Sequence, residues 1–145
     1  MTQKTHEAID LQKLKVKLFA DGADIDGIID MYANPLIKGF TTNPTLMNKA
    51  GISDYKAFSQ EVLSVVAERP VSFEVFADDF DEMAAQAREI ASWGENVYIK
   101  IPVTNTLGEF AGPLINELSN EGITLNVTAI LGMQQVRDVV KSLAP

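Results

Sequence analysis

The chain has 145 residues, 46% of them hydrophobic, which is enough for one domain with a sizeable core. Its 12 basic and 20 acidic residues give a net charge of −8, which argues against a nucleic-acid surface, and the absence of cysteine excludes disulfides, thiol nucleophiles and Cys-ligated zinc. No apolar run approaches the roughly 18 residues of a membrane span and no signal-peptide core is visible, so we expect a cytoplasmic protein with no membrane partner.

Short apolar segments alternate along the chain with stretches of helical periodicity. The apolar segments predict strands at residues 15–20, 37–42, 71–76, 97–102 and 123–129. Helical spacing is clear at residues 25–32, 58–66, 83–91 and 136–143. A less regular helix before the fifth strand is expected to have Pro113 in its first turn and Gly122 as its C-cap. The predicted N-caps are Asp24, Ser53 and Asp79.

This alternation predicts a single α/β domain, residues 1–145, with a parallel sheet and crossover helices. Two architectures fit. An open five-stranded parallel sheet is complete at about this length, whereas a (β/α)8 barrel needs about 250 residues, so that five of its units would take about 156. Length alone therefore favours the open sheet.

The polar residues favour the barrel. Strand side chains alternate between the two faces of a sheet, so residues two apart share a face. Each predicted strand carries polar groups of one parity, mostly late in the strand, as in a barrel whose active site is built from strand ends. An open doubly wound sheet would bury such groups under helices. The residues on this face are Asp21, Thr41, Asn43, Glu74, Lys100, Asn126 and Thr128.

Lys100 is one charged amine in the apolar segment of residues 96–103. Burial of an ammonium there would lower its pKa and make the amine a nucleophile that forms a Schiff base with a carbonyl carbon. The alternative is an edge-strand lysine whose stem packs on apolar surface while its ammonium reaches water.

Several segments resemble the transaldolase family, in chain order. Residues 38–47, KGFTTNPTLM, look like the signature around the second barrel strand, and residues 97–104, VYIKIPVT, look like the Schiff-base strand. Shorter matches to the first, third and fifth strands are FAD, FEV and LNVT at residues 19–21, 73–75 and 125–128. The resemblance implies a transaldolase-type barrel, truncated here to about five β/α units.

The resemblance also implies roles for individual residues. Lys100 would attack the ketose carbonyl, Glu74 would act as general acid–base through a water held by Asn43 and Thr128, and Asp21 would assist proton transfer during C–C cleavage. Asn126 would hydrogen-bond the dihydroxyacetone moiety. Thr41, in the signature, is a further predicted substrate contact.

The reaction implied is transfer of a dihydroxyacetone unit between sugar phosphates, a ketose donor and an aldose acceptor. No cofactor or metal is implied, since the sequence has no His, Cys and carboxylate cluster at ligand spacing.

The sequence departs from the family in its length and at the exit from the fifth strand, where residues 129–133, AILGM, differ from the Phe-Thr-containing segment expected there. It stops after five units, so the later serine and arginine that bind the substrate phosphate have no counterpart, and both outer strands would be open edges. Two other functions therefore stay open: a dihydroxyacetone or fructose 6-phosphate aldolase, and an inactive partial barrel that acts as an interaction module. Open edges also predict a homo-oligomer.

Overall fold

The computed structural model describes residues 15–145, in which five strands alternate with helices. The strands are β1 (Leu18–Asp21), β2 (Ile37–Thr41), β3 (Val71–Glu74), β4 (Val97–Pro102) and β5 (Leu125–Thr128). The helices are α1 (Ile25–Tyr32), α2 (Pro44–Lys49), α3 (Tyr55–Val65), α4 (Phe80–Ala91), α5 (Gly112–Asn120) and α6 (Met133–Ser142). Within this part of the chain, no helix is long and apolar enough to cross a membrane.

The strands form one parallel sheet in the order β1-β2-β3-β4-β5. Right-handed crossovers between strands that follow one another in both sequence and space place all helices on the same face of the sheet. A doubly wound sheet would instead reverse its strand order and carry helices on both faces. The fold is therefore a curled half-barrel of five β/α units, as the parity of the polar residues predicts, and not the open sheet that length alone favours.

The two faces of the sheet differ in burial. The side chains of Phe40, Phe73 and Ile99 point to the helical layer and are fully buried. Residues of the opposite parity line the concave face and are mostly half-buried, as Glu74 and Lys100 are. The hydrophobic core thus lies between the sheet and its helices, and the concave face is left for polar chemistry.

β4 has the predicted bounds, whereas the other four strands are shorter than predicted and β1 ends one residue later, at Asp21. β1 begins at Leu18 because its partner β2 begins at the paired residue Ile37. β3 ends at Glu74 because the next free backbone N–H groups, those of Phe76 and Ala77, bond the side chain of Gln86 instead of a neighbouring strand.

The helix starts follow local capping chemistry. Asp24 and Asp79 are N-caps, as predicted, and each accepts backbone N–H bonds from the first turn. The prediction of Ser53 is wrong by one residue: the side chain of Asp54 accepts the N–H of Ala57 and caps α3. The prediction of Gly122 as the C-cap of α5 is also off by one residue: Glu121 is the C-cap, and Gly122 follows it with φ +81°, a conformation that glycine adopts without strain. Pro113 lies in the first turn of α5, as predicted.

Candidate active site

The ammonium of Lys100 and the carboxylate of Glu74 form an ion pair on the concave face. The two residues lie opposite each other in the β3–β4 ladder, and Lys100 Nζ is 3.1 Å from Glu74 Oε2. Their side chains are only 13% and 25% exposed. Nζ also donates to the carbonyl oxygen of Thr42 at 3.1 Å. β4 is an inner strand of the sheet, so the alternative of an edge-strand lysine with its ammonium in water does not hold.

The pair opens into a cavity at the carboxyl ends of the strands. Its volume is about 530 Å³. The residues that line it are Asn43, Pro44, Thr45, Glu74, Val75, Phe76 and Lys100. The amine and the carboxylate are therefore accessible to a small molecule that enters from the strand ends, where barrel enzymes place their active sites.

Asn43 lies in this cavity and also begins a helix that the sequence reasoning missed. Its Oδ1 accepts the backbone N–H of Leu46 at 3.0 Å and caps α2. Pro44 occupies the first turn, where a missing N–H costs nothing. The amide oxygen of Asn43 is thus engaged in the cap, and its NH2 group provides the donors with which it could bind substrate or water.

Asn126 is the ladder partner of Lys100 on the other side, in β5. Its Nδ2 donates to Ser72 Oγ at 3.1 Å, and Ser72 is buried. Ser72 has the parity of the concave face, but it is not among the site residues that the sequence predicts. The structure adds it as the group that orients the Asn126 amide beside the ion pair.

Thr128 lies one ladder step beyond Asn126. It is paired with Pro102, and its Oγ1 donates to the carbonyl oxygen of Ile101 at 3.4 Å. This contact is with the backbone of the adjacent strand, so it gives no polar link from Thr128 to Asn43 or Glu74.

Asp21 and Thr41 form a separate pair at the other side of the concave face. They are opposite in the β1–β2 ladder, and Thr41 Oγ1 donates to Asp21 Oδ1 at 2.6 Å. Asp21 lines a different cavity, of about 280 Å³, between β1 and α1. The structure therefore pairs Lys100 with Glu74, sets Asn126 beside Lys100 in the ladder, and pairs Asp21 with Thr41 in a second contact.

Tyr55 joins the site from outside the sheet. Its hydroxyl donates to the carbonyl oxygen of Glu74 at 3.1 Å and accepts from the N–H of Glu74 at 2.8 Å. Burial raises the pKa of the Tyr55 phenol well above its usual range, so the hydroxyl keeps its proton. A tyrosine that begins a helix carries no sequence signal for such a contact.

The loops that follow β3 and β4 are tied together by Asp78. This side chain accepts hydrogen bonds from the hydroxyl and the backbone N–H of Thr106, at 2.6 and 2.8 Å. The bonds hold the pKa of the Asp78 carboxyl below its usual range. The loops that follow β3 and β4, which flank the Lys100–Glu74 pair, are therefore joined.

The Lys100 amine and the Glu74 carboxylate are the groups that Schiff-base formation with a carbonyl compound needs. A half-buried lysine can attack a carbonyl carbon once it has lost its proton, and an adjacent carboxylate can accept and return that proton. Among residues 15–145, no group of three or more His, Cys, Asp or Glu side chains could hold a metal ion.

Comparisons with known proteins agree on one family. Residues 18–144 match the family model described as transaldolase/fructose-6-phosphate aldolase. A probable transaldolase of Dehalococcoides mccartyi is 42% identical over 120 residues, which are 83% of this chain and 54% of the relative. Similar proteins of the same description occur in Streptococcus agalactiae (39% over 127 residues, 88% and 56%) and Methanococcus maripaludis (41% over 120 residues, 83% and 53%). The chain thus spans about half the length of the curated relatives it matches.

Proposed function

The chain belongs to the transaldolase/fructose-6-phosphate aldolase family, and we propose that it acts on a ketose through a Schiff base at Lys100. The observation that carries this proposal is the half-buried pair of Lys100 Nζ and Glu74 Oε2, 3.1 Å apart, in an accessible cavity. The fuller reaction would transfer a dihydroxyacetone unit from a ketose phosphate to an aldose phosphate.

The first step needs a neutral amine. Glu74 accepts a proton from the Lys100 ammonium, and the free amine attacks the carbonyl carbon of the ketose. The resulting carbinolamine loses its hydroxyl as water when Glu74 returns the proton, which leaves a protonated imine on Lys100. A carboxylate within hydrogen-bond distance of the amine suits both transfers.

The second step breaks the C3–C4 bond. The protonated imine withdraws electrons, so the bond pair moves toward nitrogen and forms an enamine while the C4 hydroxyl loses its proton and becomes an aldehyde. The family resemblance assigns that proton to Asp21, with Thr41 as its hydrogen-bond partner. Asn126 would hold the hydroxyls of the dihydroxyacetone moiety, and Asn43 and Thr128 would hold the water through which Glu74 works.

The test is reductive trapping. The full chain is incubated with dihydroxyacetone and borohydride, weighed, and mapped by peptide. We expect one reduced adduct, located at Lys100, and none in Lys100→Met. The matched control is Lys38→Met, because Lys38 is an exposed lysine of β2 whose ammonium bonds only a local carbonyl. An adduct of the same mass in Lys100→Met would refute the assignment.

A second enzymatic function, the aldolase, is supported by the family description, which names both activities. Glu74→Gln separates the two. If Glu74 serves the transfer of dihydroxyacetone to an aldose acceptor, Glu74→Gln should lower the rate of this transfer more than it lowers the rate of the aldolase reaction with free dihydroxyacetone. Equal loss of both activities would argue that Glu74 does not set this preference.

A third possibility is an inactive module that acts through contacts with other molecules. It predicts no adduct from any ketose. The phosphate site of the substrate is assigned to no residue of this chain, and the cytoplasmic location and the absence of a nucleic-acid or membrane partner stay predictions.

We also propose that a second copy of the chain covers the open edges at β1 and β5. Beside β1, helix α1 exposes acidic and apolar side chains, which we call the α1 surface: Asp26, Ile29, Asp30 and Met31. Beyond β5, helix α6 exposes the apolar Val136 and Val140 and the basic Arg137 and Lys141, which we call the α6 surface; Lys141 also pairs with Asp138 of the same helix at 3.5 Å. Their charges are complementary, so the α6 surface of one copy suits the α1 surface of another.

A further inference from the structure

The backbone of Glu74 lacks a strand partner on one side. The β2–β3 ladder pairs only two positions, the second being Thr41 with Ser72. The last backbone hydrogen bond between β2 and β3 runs from the N–H of Thr42 to the carbonyl oxygen of Ser72, at 3.3 Å. The chain then turns away into α2 through Pro44, which has no N–H to offer.

The other side of β3 remains paired at this level. Glu74 is the ladder partner of Lys100, and the N–H of Val75 bonds the carbonyl of Lys100 at 3.3 Å. In a parallel ladder the N–H and C=O groups of one residue point to one neighbour and those of the next residue to the other. The N–H and C=O of Glu74 therefore both face the gap that β2 leaves.

One hydroxyl fills this gap. Tyr55 Oη accepts the N–H of Glu74 at 2.8 Å and donates to the carbonyl oxygen of the same residue at 3.1 Å. A single phenol thus satisfies both groups that a continuing β2 would have bonded. Without it, two half-buried backbone groups at the end of β3 would have no protein partner.

The position of the Tyr55 ring is itself well determined. Tyr55 is the first residue of α3, directly after the N-cap Asp54. Its ring makes edge contacts with Phe73, Phe76 and Trp93, with centroid distances of 6.0, 4.6 and 5.6 Å. Because Phe76 also lines the Lys100 cavity, the same ring supports both the backbone of Glu74 and one wall of the site.

We infer that Tyr55 is a positioning residue, which holds the end of β3 so that the Glu74 carboxylate stays within hydrogen-bond distance of Lys100. Its hydroxyl does not touch the reacting atoms; it acts through the backbone of Glu74. The effect of Tyr55 on the reaction at Lys100 rests on the proposed function. The structural part, that Tyr55 fixes Glu74, can be tested without any substrate.

The first measurement is hydrogen exchange of the Glu74 amide by NMR. Tyr55→Phe removes the acceptor and leaves the ring, whereas the control Tyr32→Phe alters a tyrosine at the end of α1 whose ring packs on Phe40 and Arg69. We expect the Glu74 amide to exchange about tenfold faster in Tyr55→Phe, the ratio that corresponds to one lost hydrogen bond. Exchange as slow as in Tyr32→Phe would overturn the inference.

The second measurement is the rate of borohydride trapping as a function of dihydroxyacetone concentration. We expect Tyr55→Phe to lower the limiting rate about tenfold and to change the half-saturating concentration less than about twofold. In a Glu74→Ala background the same substitution should change the rate little, because the residue it positions is gone.

The outcomes separate the two proposals. No adduct in the unmodified chain would refute the Schiff-base function and leave the exchange measurement to decide on Tyr55. An adduct that forms at the same rate in Tyr55→Phe, or is slowed equally in both backgrounds, would refute the positioning role while the Schiff-base function stands.

Discussion

The side-chain amide of Asn126 donates a hydrogen bond of 3.1 Å to the hydroxyl of Ser72, although β4 lies between their strands. In a flat sheet, strands two apart are separated by about 10 Å, which these short side chains do not span. The bond therefore requires the sheet to curl toward the concave face. Because Asn126 is level with Lys100 and Ser72 is level with Tyr98, the bond also crosses β4 diagonally.

Replacement of Ser72 by alanine tests this relationship. The variant leaves the Nδ2 of the half-buried Asn126 without its partner, so we expect the free energy of unfolding to fall by about 1 kcal/mol. Urea unfolding followed by circular dichroism measures it. Ser64→Ala is the control, since its hydroxyl bonds a carbonyl on the exposed side of α3. Equal stability of the two variants would contradict the prediction.

The start of α3 provides a second prediction, because its N-cap is Asp54 and not Ser53, the residue that the sequence predicts. Asp54 accepts the N–H of Ala57, whereas Ser53 is exposed and precedes the helix. Asp54→Ala should therefore lower the free energy of unfolding by about 1 kcal/mol, the usual cost of a lost N-cap, and Ser53→Ala should change it little. Urea unfolding measures both changes. A larger loss of stability in Ser53→Ala than in Asp54→Ala would show that Ser53 is the cap.

The ion pair at the site was predictable, and its neighbours were less so. Glu74 and Lys100 meet because side chains alternate with a period of two and parallel strands stay in register, both of which follow from the sequence. The same parity placed Asp21 on the correct face. It did not say how far around the curved sheet Asp21 lies from Lys100, because that distance depends on the curl.

Two other features of the structure, the helix α2 and the contact of Tyr55 with Glu74, were not predicted from the sequence. The short helix α2 has a signal, an Asn followed by Pro in the pattern of N-cap and first turn, but these residues also belong to the segment that resembles the signature around the second strand. The contact of Tyr55 with Glu74 has no such signal. It joins residues 19 positions apart through packing of α3 on the sheet, and no local pattern encodes that distance.

Asp78 gives a prediction for pH. Its bonds from Thr106 hold the pKa of the folded-state carboxyl below the ordinary value of 3.8. A depressed folded-state pKa stabilises the native state above that value, and the benefit is lost as the pH falls through the folded-state pKa. The stability difference between the unmodified chain and Asp78→Asn should thus be larger at neutral pH than in strong acid.

Urea unfolding at the two pH values measures this difference. Glu68→Gln is a suitable control, because Glu68 is an exposed carboxylate in the loop before β3. The difference between the unmodified chain and this control should vary less with pH. An Asp78→Asn difference that is equal at both pH values would show that the bonds to Thr106 do not favour the ionised carboxyl.

The charge complementarity of the α1 and α6 surfaces predicts self-association. Sedimentation velocity at increasing protein concentration should show a dimer. Arg137→Glu places a negative charge on the α6 surface, opposite the acidic α1 surface of the partner copy, so we expect it to weaken the dimer. Adding Asp30→Lys to this variant restores an opposite-charge pair and should recover association.

The control for this charge reversal must change net charge equally. Lys38→Glu does so on an exposed residue of β2 that belongs to neither surface. If Lys38→Glu weakens the dimer as much as Arg137→Glu does, total charge and not the α6 surface governs association. A strictly monomeric protein at all concentrations would refute the proposed contact between copies. The double variant has the net charge of the unmodified chain, so its recovery places Asp30 and Arg137 on opposing sides of one interface only when Lys38→Glu leaves association intact.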